Sequence, residues 1–336
     1  MRALVAAGPD VLDVLDRPEP EPGRAALVRV RAAGICGTDL KVAHGKVPAR
    51  YPLILGHEVM GVVESPAPGS AVSAGARVVV DPAVSCARCD LCLRDRPNLC
   101  PNGGLIGRDA DGGFAELIEV PATRLHALPD EIGDEDAVLV QMLSTIIHAQ
   151  TLIQPQLGQS GLVVGLGATG LMHVRLLAAR GVAPIVGISR SQAKRTLAER
   201  LGATITGTPA EAADLVAGAT GGLGADIAIE CAGQRDALVQ AMTEVAAGGT
   251  VLVFGTIAPS ADELPTYDWY LKELKLVSAR AARPRDFTDA IRAIRGGLVR
   301  PGDLITATYP LEEGPAALAA AGRPEEIKVT MTVGGR

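Results

Sequence analysis

The sequence predicts an α/β protein of two domains, a turn-rich β-barrel-like unit and a doubly wound parallel sheet covered by helices. Three observations carry this. The hydrophobic pattern changes period near residue 150. A glycine triplet, Gly165-x-Gly167-x-x-Gly170, stands between an apolar run and a helical pattern. Four cysteines crowd into the fifteen residues "CARCDLCLRDRPNLC".

The chain has 336 residues, too many for one small core and suited to two domains. Hydrophobic residues make up 48%, ample for folding. A net charge of −6, from 32 basic and 38 acidic residues, and an aromatic content of 2% speak against a nucleic-acid partner. The first apolar run breaks at Gly8-Pro9-Asp10, and no run approaches the ~20 residues that span a bilayer. A cytoplasmic protein is expected, without a membrane partner. In a reducing compartment, six cysteines with four clustered suggest metal rather than disulfides.

Up to about residue 150, "RPEPEPG", "ESPAPGS" and "LCPNGG" separate short runs such as "AALVRVRAAG" and "GARVVVDP". Period-two runs between Gly/Pro clusters read as strands of a barrel-like unit. Within it, "LGHEVMG" sets His57 directly before Glu58. Gly61 stands where a zincin helix would carry its second histidine, which excludes that metalloprotease pattern. By itself the pair reads as part of a half-buried strand.

Cys86, Cys89, Cys92 and Cys100 form C-x2-C-x2-C-x7-C. Four thiolates this close suit a closed tetrahedral zinc site, structural because no position stays open. A ferredoxin run also ends in Cys-Pro, but its last gap is shorter and a second cysteine set accompanies it.

From 150 to about 283 strands and helices alternate. "GLVVGLG", "APIVGIS", "ADIAIECAG", "TVLVFG" and "LKLVSAR" read as strands; "ATGLMHVRLLAARG", "SQAKRTLAERLG" and "QRDALVQAMTEVAAGG" read as helices. Continuous apolar strands in this order make a parallel sheet covered on both faces. Gly165 provides the tight turn, Gly167 lets a pyrophosphate approach, and Gly170 lets helix and strand pack. The helix start at Ala168 and Thr169 offers free N–H groups. The second strand ends at Ser189 and Arg190, with Lys194 and Arg195 one turn on, where an NAD site has a carboxylate. A serine and an arginine suit a 2′-phosphate, so NADP(H) is the expected cofactor over NAD(H). Lys194 and Arg195 also fit ordinary solvated charges at a helix start. Cys231 at a strand end reads as a small apolar filler.

Taken together, "GICGTDLKVAHG", "YPLILGHEVMGVV", the cysteine lobe, "VVGLGATGLMHVRLLAARG" and "GTVLVFG" resemble the zinc-dependent medium-chain alcohol dehydrogenases over essentially the whole chain. The resemblance implies a GroES-like catalytic domain from 1–149 and 284–336, with the zinc lobe at about 84–102. A Rossmann domain at 150–283 is inserted, with the active site in the cleft. It implies two zinc ions per chain and a small alcohol, polyol or sugar substrate. A homo-oligomer, tetramer or dimer, goes with it. Cys36 and His57 match the first catalytic zinc ligands, Thr38 the hydroxyl that relays the substrate proton, and Asp39 the carboxylate that orients the histidine. Glu58 matches a glutamate able to enter or leave the metal's shell. Cys231 and Gly255 fall at the cofactor edge of their strands.

Two positions depart from the family pattern. Gln141 stands where the third ligand is usually Cys, Asp or Glu, as a neutral ligand like that of the glucose-dehydrogenase branch or as a helix residue turned elsewhere. A Cys/His/Gln set leaves zinc a net charge near +1, a stronger Lewis acid held less tightly. Lys41 stands where many relatives carry a relay histidine; it passes the proton, binds substrate or cofactor, or lies at the surface. The expected activity is hydride transfer between NADP(H) and a secondary alcohol, polyol or sugar hydroxyl. Its alternatives are a zinc-free quinone or enoyl reductase of the same fold and a catalytically dead nucleotide-binding protein.

Overall fold

The Val-rich strand Ala26–Gly34 is the centre of the N-terminal part of the molecule. Its inward residues Val28 and Val30 are buried, as alternation along a half-covered strand requires. In the computed structural model, which describes residues 1–257 and 264–334, the chain forms two compact units. One is Met1–Ser144 with Ala281–Arg336; the other is Thr145–Arg280. The division falls inside the helix Val140–Ile153, slightly ahead of the change in hydrophobic period. A helix that runs across a boundary keeps its own periodicity and so hides the boundary from sequence.

In the first unit, Ala26–Gly34 pairs antiparallel with Glu58–Ser65 and, along its two halves, with Leu117–Val120 and Lys328–Thr332. Arg77–Val80, Leu125–Ala127 and Ile305–Pro310 complete a seven-stranded sheet; Arg2–Gly8, Val11–Asp16 and Leu53–Ile54 form a three-stranded one. Register matters for the site. Gly34 is opposite Glu58 on one side and Thr330 on the other. Antiparallel pairing therefore brings the end of one strand to the starts of two others. The core between the sheets contains Leu4, Val28, Leu55, Val59, Phe114 and Met331. Phe114 fixes the turn before His57. A Cβ on Gly56, at φ +98°, would lie 2.2 Å from its ring.

The second unit is a six-stranded parallel sheet in the order Ile205–Gly207, Ile185–Ile188, Gly161–Val164, Ala225–Glu230, Val245–Val253, Lys275–Ser278. This is the doubly wound dinucleotide-binding order. Every residue of Gly161–Val164 and Ile185–Ile188 is buried. Two local expectations change. The helix expected through "VAAGG" stops at Glu244, because Val245 is already extended (φ −77°, ψ 144°) and opens the next strand. The strand Ile205–Gly207 and the helix Ala212–Thr220 escaped the sequence reading. Three residues are too few to display a period, and an Ala-rich helix shows little contrast between its faces. Among the described residues, no helix is long and apolar enough to cross a membrane.

Candidate metal and dinucleotide sites

At the end of Ala26–Gly34 the chain turns through Ile35 and Cys36 into the short helix Gly37–Ala43. Cys36 meets His57 and Glu58 there. One ligand atom from each lies within 4.8 Å of the others. Asp39, fully buried, ties the three segments together. Its Oδ2 accepts the Cys36 N–H at 2.8 Å; its Oδ1 accepts the Gly56 N–H at 3.3 Å and lies 3.1 Å from His57 Nδ1. With Nδ1 bonded to the carboxylate, Nε2 is the nitrogen left to bind a metal. Burial works against a charge on His57, but Asp39 and Cys36 outweigh it and raise its pKa well above the usual value. A site that draws a cation onto its histidine is chemically suited to hold a metal cation instead.

Thr38 Oγ1 lies 4.0 Å from Cys36 Sγ. Lys41 is half-buried in the last turn of the same short helix. Gln141 sits at the start of Val140–Ile153, 7% exposed, and its carbonyl accepts the Ser144 hydroxyl at 2.7 Å. The structure adds one residue that the motifs did not point to, Lys328. It is 5% exposed; its Nζ donates to Glu58 Oε1 at 2.8 Å and to the Ile35 carbonyl at 3.0 Å. Burial disfavours this ammonium, yet Glu58 and Cys36 outweigh the cost and raise its pKa. Only the alternation of "IKVTMT" hinted at it. A lysine where a strand should be buried is a conflict that a partner must resolve.

The cysteine lobe gathers Cys86, Cys89, Cys92 and Cys100 with all four Sγ atoms within 4.8 Å. Sγ separations are 3.5 Å for Cys89–Cys92, 3.8 Å for Cys89–Cys100 and 3.5 Å for Cys86–Cys100. Zinc–sulfur bonds of about 2.3 Å in a tetrahedron require sulfurs about 3.8 Å apart, so the thiols fit the ion. They do not behave alike without it. Backbone N–H groups of Arg88 and Cys89 lower Cys86 to about 6. The Cys92 N–H favours ionisation of Cys89, but desolvation and hydrogen bonds to its three fellow thiols outweigh this and push it up to about 11. Arg124, also outside the motifs, braces the lobe. It donates to Asp81 Oδ2 at 2.8 Å and to the hydroxyl of Ser85, the residue before Cys86.

In the second unit, Gly165 (φ +97°) makes the turn after Gly161–Val164, and a Cβ there would lie 2.7 Å from the Ala232 nitrogen. Gly170 packs so closely that a Cβ would fall 1.9 Å from the Gly165 carbonyl. At Gly167, the N-cap of helix Ala168–Ala179, a Cβ would meet nothing, so this glycine leaves space for something outside the protein. The residues present thus fit a dinucleotide. Ser189 is half-buried and Arg190 exposed. Ser191 caps the helix Gln192–Arg200, which carries Lys194. Arg195 donates to the carbonyls of Ser189 at 2.7 Å and Arg190 at 3.2 Å, bracing the turn that carries Arg190. Desolvation, with Glu230 beside it, pushes the Cys231 thiol well up, so it stays neutral. Glu230 Oε1 accepts the Ala232 and Gly233 N–H groups at 2.7 and 2.6 Å. At Gly255 a Cβ would lie 2.3 Å from the Gly233 nitrogen. The tips of two neighbouring strands touch there through glycine.

Residues 22–130 match the family model of the alcohol dehydrogenase GroES-like domain, and residues 168–296 match that of the zinc-binding dehydrogenases. The chain is 30% identical to a sorbitol dehydrogenase of Bacillus subtilis, covering 96% of this chain and 93% of that one. Among solved structures, a Sinorhizobium meliloti protein bound to NADP is 31% identical, with a TM-score of 0.92 and 98% of each chain covered. An Escherichia coli alcohol dehydrogenase complexed with NADH is 28% identical, with a TM-score of 0.90 and 99% of each chain covered.

Proposed function

This chain belongs to the zinc-dependent medium-chain alcohol dehydrogenases, and on that premise we propose that it transfers hydride between NADP(H) and a secondary alcohol, polyol or sugar hydroxyl. The reading rests on one observation: Cys36, His57 and Glu58 converge within 4.8 Å, with the buried Asp39 behind the histidine. Cys36 and His57 hold the catalytic zinc, and Gln141 contributes a neutral amide oxygen. The lobe holds a second, structural zinc through Cys86, Cys89, Cys92 and Cys100. Bound zinc supplies Lewis acidity that lowers the pKa of a substrate hydroxyl. The nicotinamide supplies the redox couple.

The chain's own residues do the rest. Thr38 Oγ1 takes the substrate proton and passes it on. Asp39 keeps His57 in the tautomer whose Nε2 lone pair is free. Lys41 stands half-buried on the same helix. Gly165, Gly167 and Gly170, with the N–H groups of Ala168 and Thr169, receive the pyrophosphate, and Cys231 and Gly255 line the approach to the nicotinamide. Ser189 and Arg190 bind the 2′-phosphate, and Lys194 and Arg195 support them. The NADP-bound relative supports this preference and the NADH-bound one keeps it open to test. The sorbitol-oxidising relative supports the polyol class. A homo-oligomer in the cytoplasm completes the reading.

Reduced-cofactor absorbance with a panel of polyols, sugars and secondary alcohols tests it. Turnover with a lower KM for NADP+ than for NAD+ is expected. A lower KM for NAD+ overturns the cofactor preference. Cofactor binding without turnover of any panel member leaves a nucleotide-binding protein without catalysis.

A further inference from the structure

Glu230 ends the strand Ala225–Glu230 and is fully buried, a carboxylate at the tip of a parallel sheet. Such strands are apolar along their length because helices cover both faces, so a charge there needs donors close by. The backbone supplies them. Oε1 accepts the N–H of Ala232 at 2.7 Å and that of Gly233 at 2.6 Å. The main-chain carbonyl of the same residue accepts the N–H groups of Phe254 at 2.9 Å and Gly255 at 3.1 Å, just past the neighbouring strand Val245–Val253. Gly255 also makes room for the carboxylate, since a Cβ there would lie 2.6 Å from Oε2. Burial raises the Glu230 pKa, and the N–H groups of Gly233, Ala232, Gln234 and Gly255 oppose the rise.

One side chain thereby fixes the turn 231–233 against two neighbours. On one side the Cys231 N–H bonds the Val164 carbonyl at 2.8 Å, and a Cβ on Gly165 would lie 2.7 Å from the Ala232 nitrogen. On the other side stands Gly255. Direction follows from peptide planarity. Both peptide bonds are trans, and a trans peptide points its C=O opposite to its N–H. With the N–H groups of Ala232 and Gly233 turned inward to Glu230, the carbonyls of Cys231 and Ala232 face away from it, and Ala232 is itself exposed. This edge therefore presents acceptors with a carboxylate behind them. The adjoining glycine turn and helix start present N–H groups, which suit phosphate. Acceptors suit the other half of the dinucleotide, which carries a carboxamide N–H2, ribose hydroxyls and, when oxidised, a positive ring.

We propose that Glu230 is a positioning residue which, by turning the Ala232 and Gly233 N–H groups inward, aims the Cys231 and Ala232 carbonyls at the nicotinamide half of the cofactor. This rests on the reading of a nicotinamide dinucleotide at the Gly165–Gly170 turn. Glu230→Gln keeps the size and an acceptor oxygen but removes the charge. Dissociation constants are measured for whichever of NADP+ and NAD+ the wild type binds more tightly, and for the adenosine half of that cofactor alone, adenosine 2′,5′-bisphosphate or AMP. Glu230→Gln should weaken the whole cofactor about tenfold, as two charge-assisted hydrogen bonds become neutral ones, and leave the adenosine half within about twofold of wild type. Weakening of both ligands by the same factor would make Glu230 scaffolding for the whole sheet edge and overturn the proposal. Unchanged binding of both would overturn it too. If Glu230→Gln does not fold, Glu230→Asp decides by the same comparison: a loss confined to the whole cofactor supports the proposal, and an equal change in both ligands overturns it. Wild type that binds neither dinucleotide would remove the cofactor reading and this proposal with it. Wild-type binding without a split in the variant would remove only the role of Glu230.

Discussion

The cysteine lobe and the His57 site occupy the same unit and meet the same geometric limit, yet they are built in opposite ways. The lobe takes its four thiols from residues 86–100, and three of the four are only half-buried. Chain connectivity alone nearly assembles it. The His57 site takes Cys36 and Asp39 from the turn and helix after Ala26–Gly34, His57 and Glu58 from the start of Glu58–Ser65, and Lys328 from the start of Lys328–Thr332, and every one except Cys36 is buried. Charge differs too. Four thiolates around a divalent ion leave the lobe anionic, which half-exposure to water tolerates. The buried site has no such outlet and carries its own ammonium. A site made for stability can be local and wet, whereas one that must keep an open position needs a surrounding that fixes every ligand.

Breaking the lobe gives the largest expected effect. Cys100→Ser removes the most buried of the thiols and should reduce metal content from two ions to one per chain. Thermal stability should fall by on the order of several kcal/mol, because metal binding to such a loop is folding free energy. Elemental analysis with a melting curve checks this. If the His57 site empties as well, the two regions are not independent and the comparison fails.

Asp39→Asn attacks the other region at its brace. It keeps the shape but removes the charge that orders Cys36, Gly56 and His57. Metal affinity at the His57 site, or activity, should fall about 10–100-fold while the lobe keeps its ion. Competition with a chromogenic chelator measures both ions separately; unchanged affinity at the His57 site would reject the orienting role.

The smallest effect sharpens the account of the lobe. After its metal is removed, Cys86, lowered to about 6, is largely thiolate at neutral pH, and Cys89, at about 11, is protonated. Alkylation followed by peptide mass spectrometry should label Cys86 before Cys89. The first labelling should slow as pH falls below about 6, where Cys86 takes up its proton. Equal labelling would mean that the backbone donors at Arg88 and Cys89 do not hold when the ion leaves.

Much of this was legible in the chain. The change of period gave the two architectures, and the glycine triplet stands at the turn and helix start where the backbone needs it. The four-cysteine run folds into a ring of thiols at zinc spacing. These features are set over stretches short enough for residue spacing and backbone geometry to fix the outcome. What escaped is of another kind. The strand Ile205–Gly207 shows no period of its own and exists because a parallel neighbour pairs with it.

Sequence spacing alone thus determined the lobe, the glycine turn before Ala168–Ala179 and the class of each unit, because those depend on local geometry. Lys328 meets Glu58 across 270 positions of sequence, and no spacing rule reaches that far. Only the tertiary structure decided it. The pairing of Gly34 with both Glu58 and Thr330 brings three strand ends to one point, and a buried charge there must find its opposite.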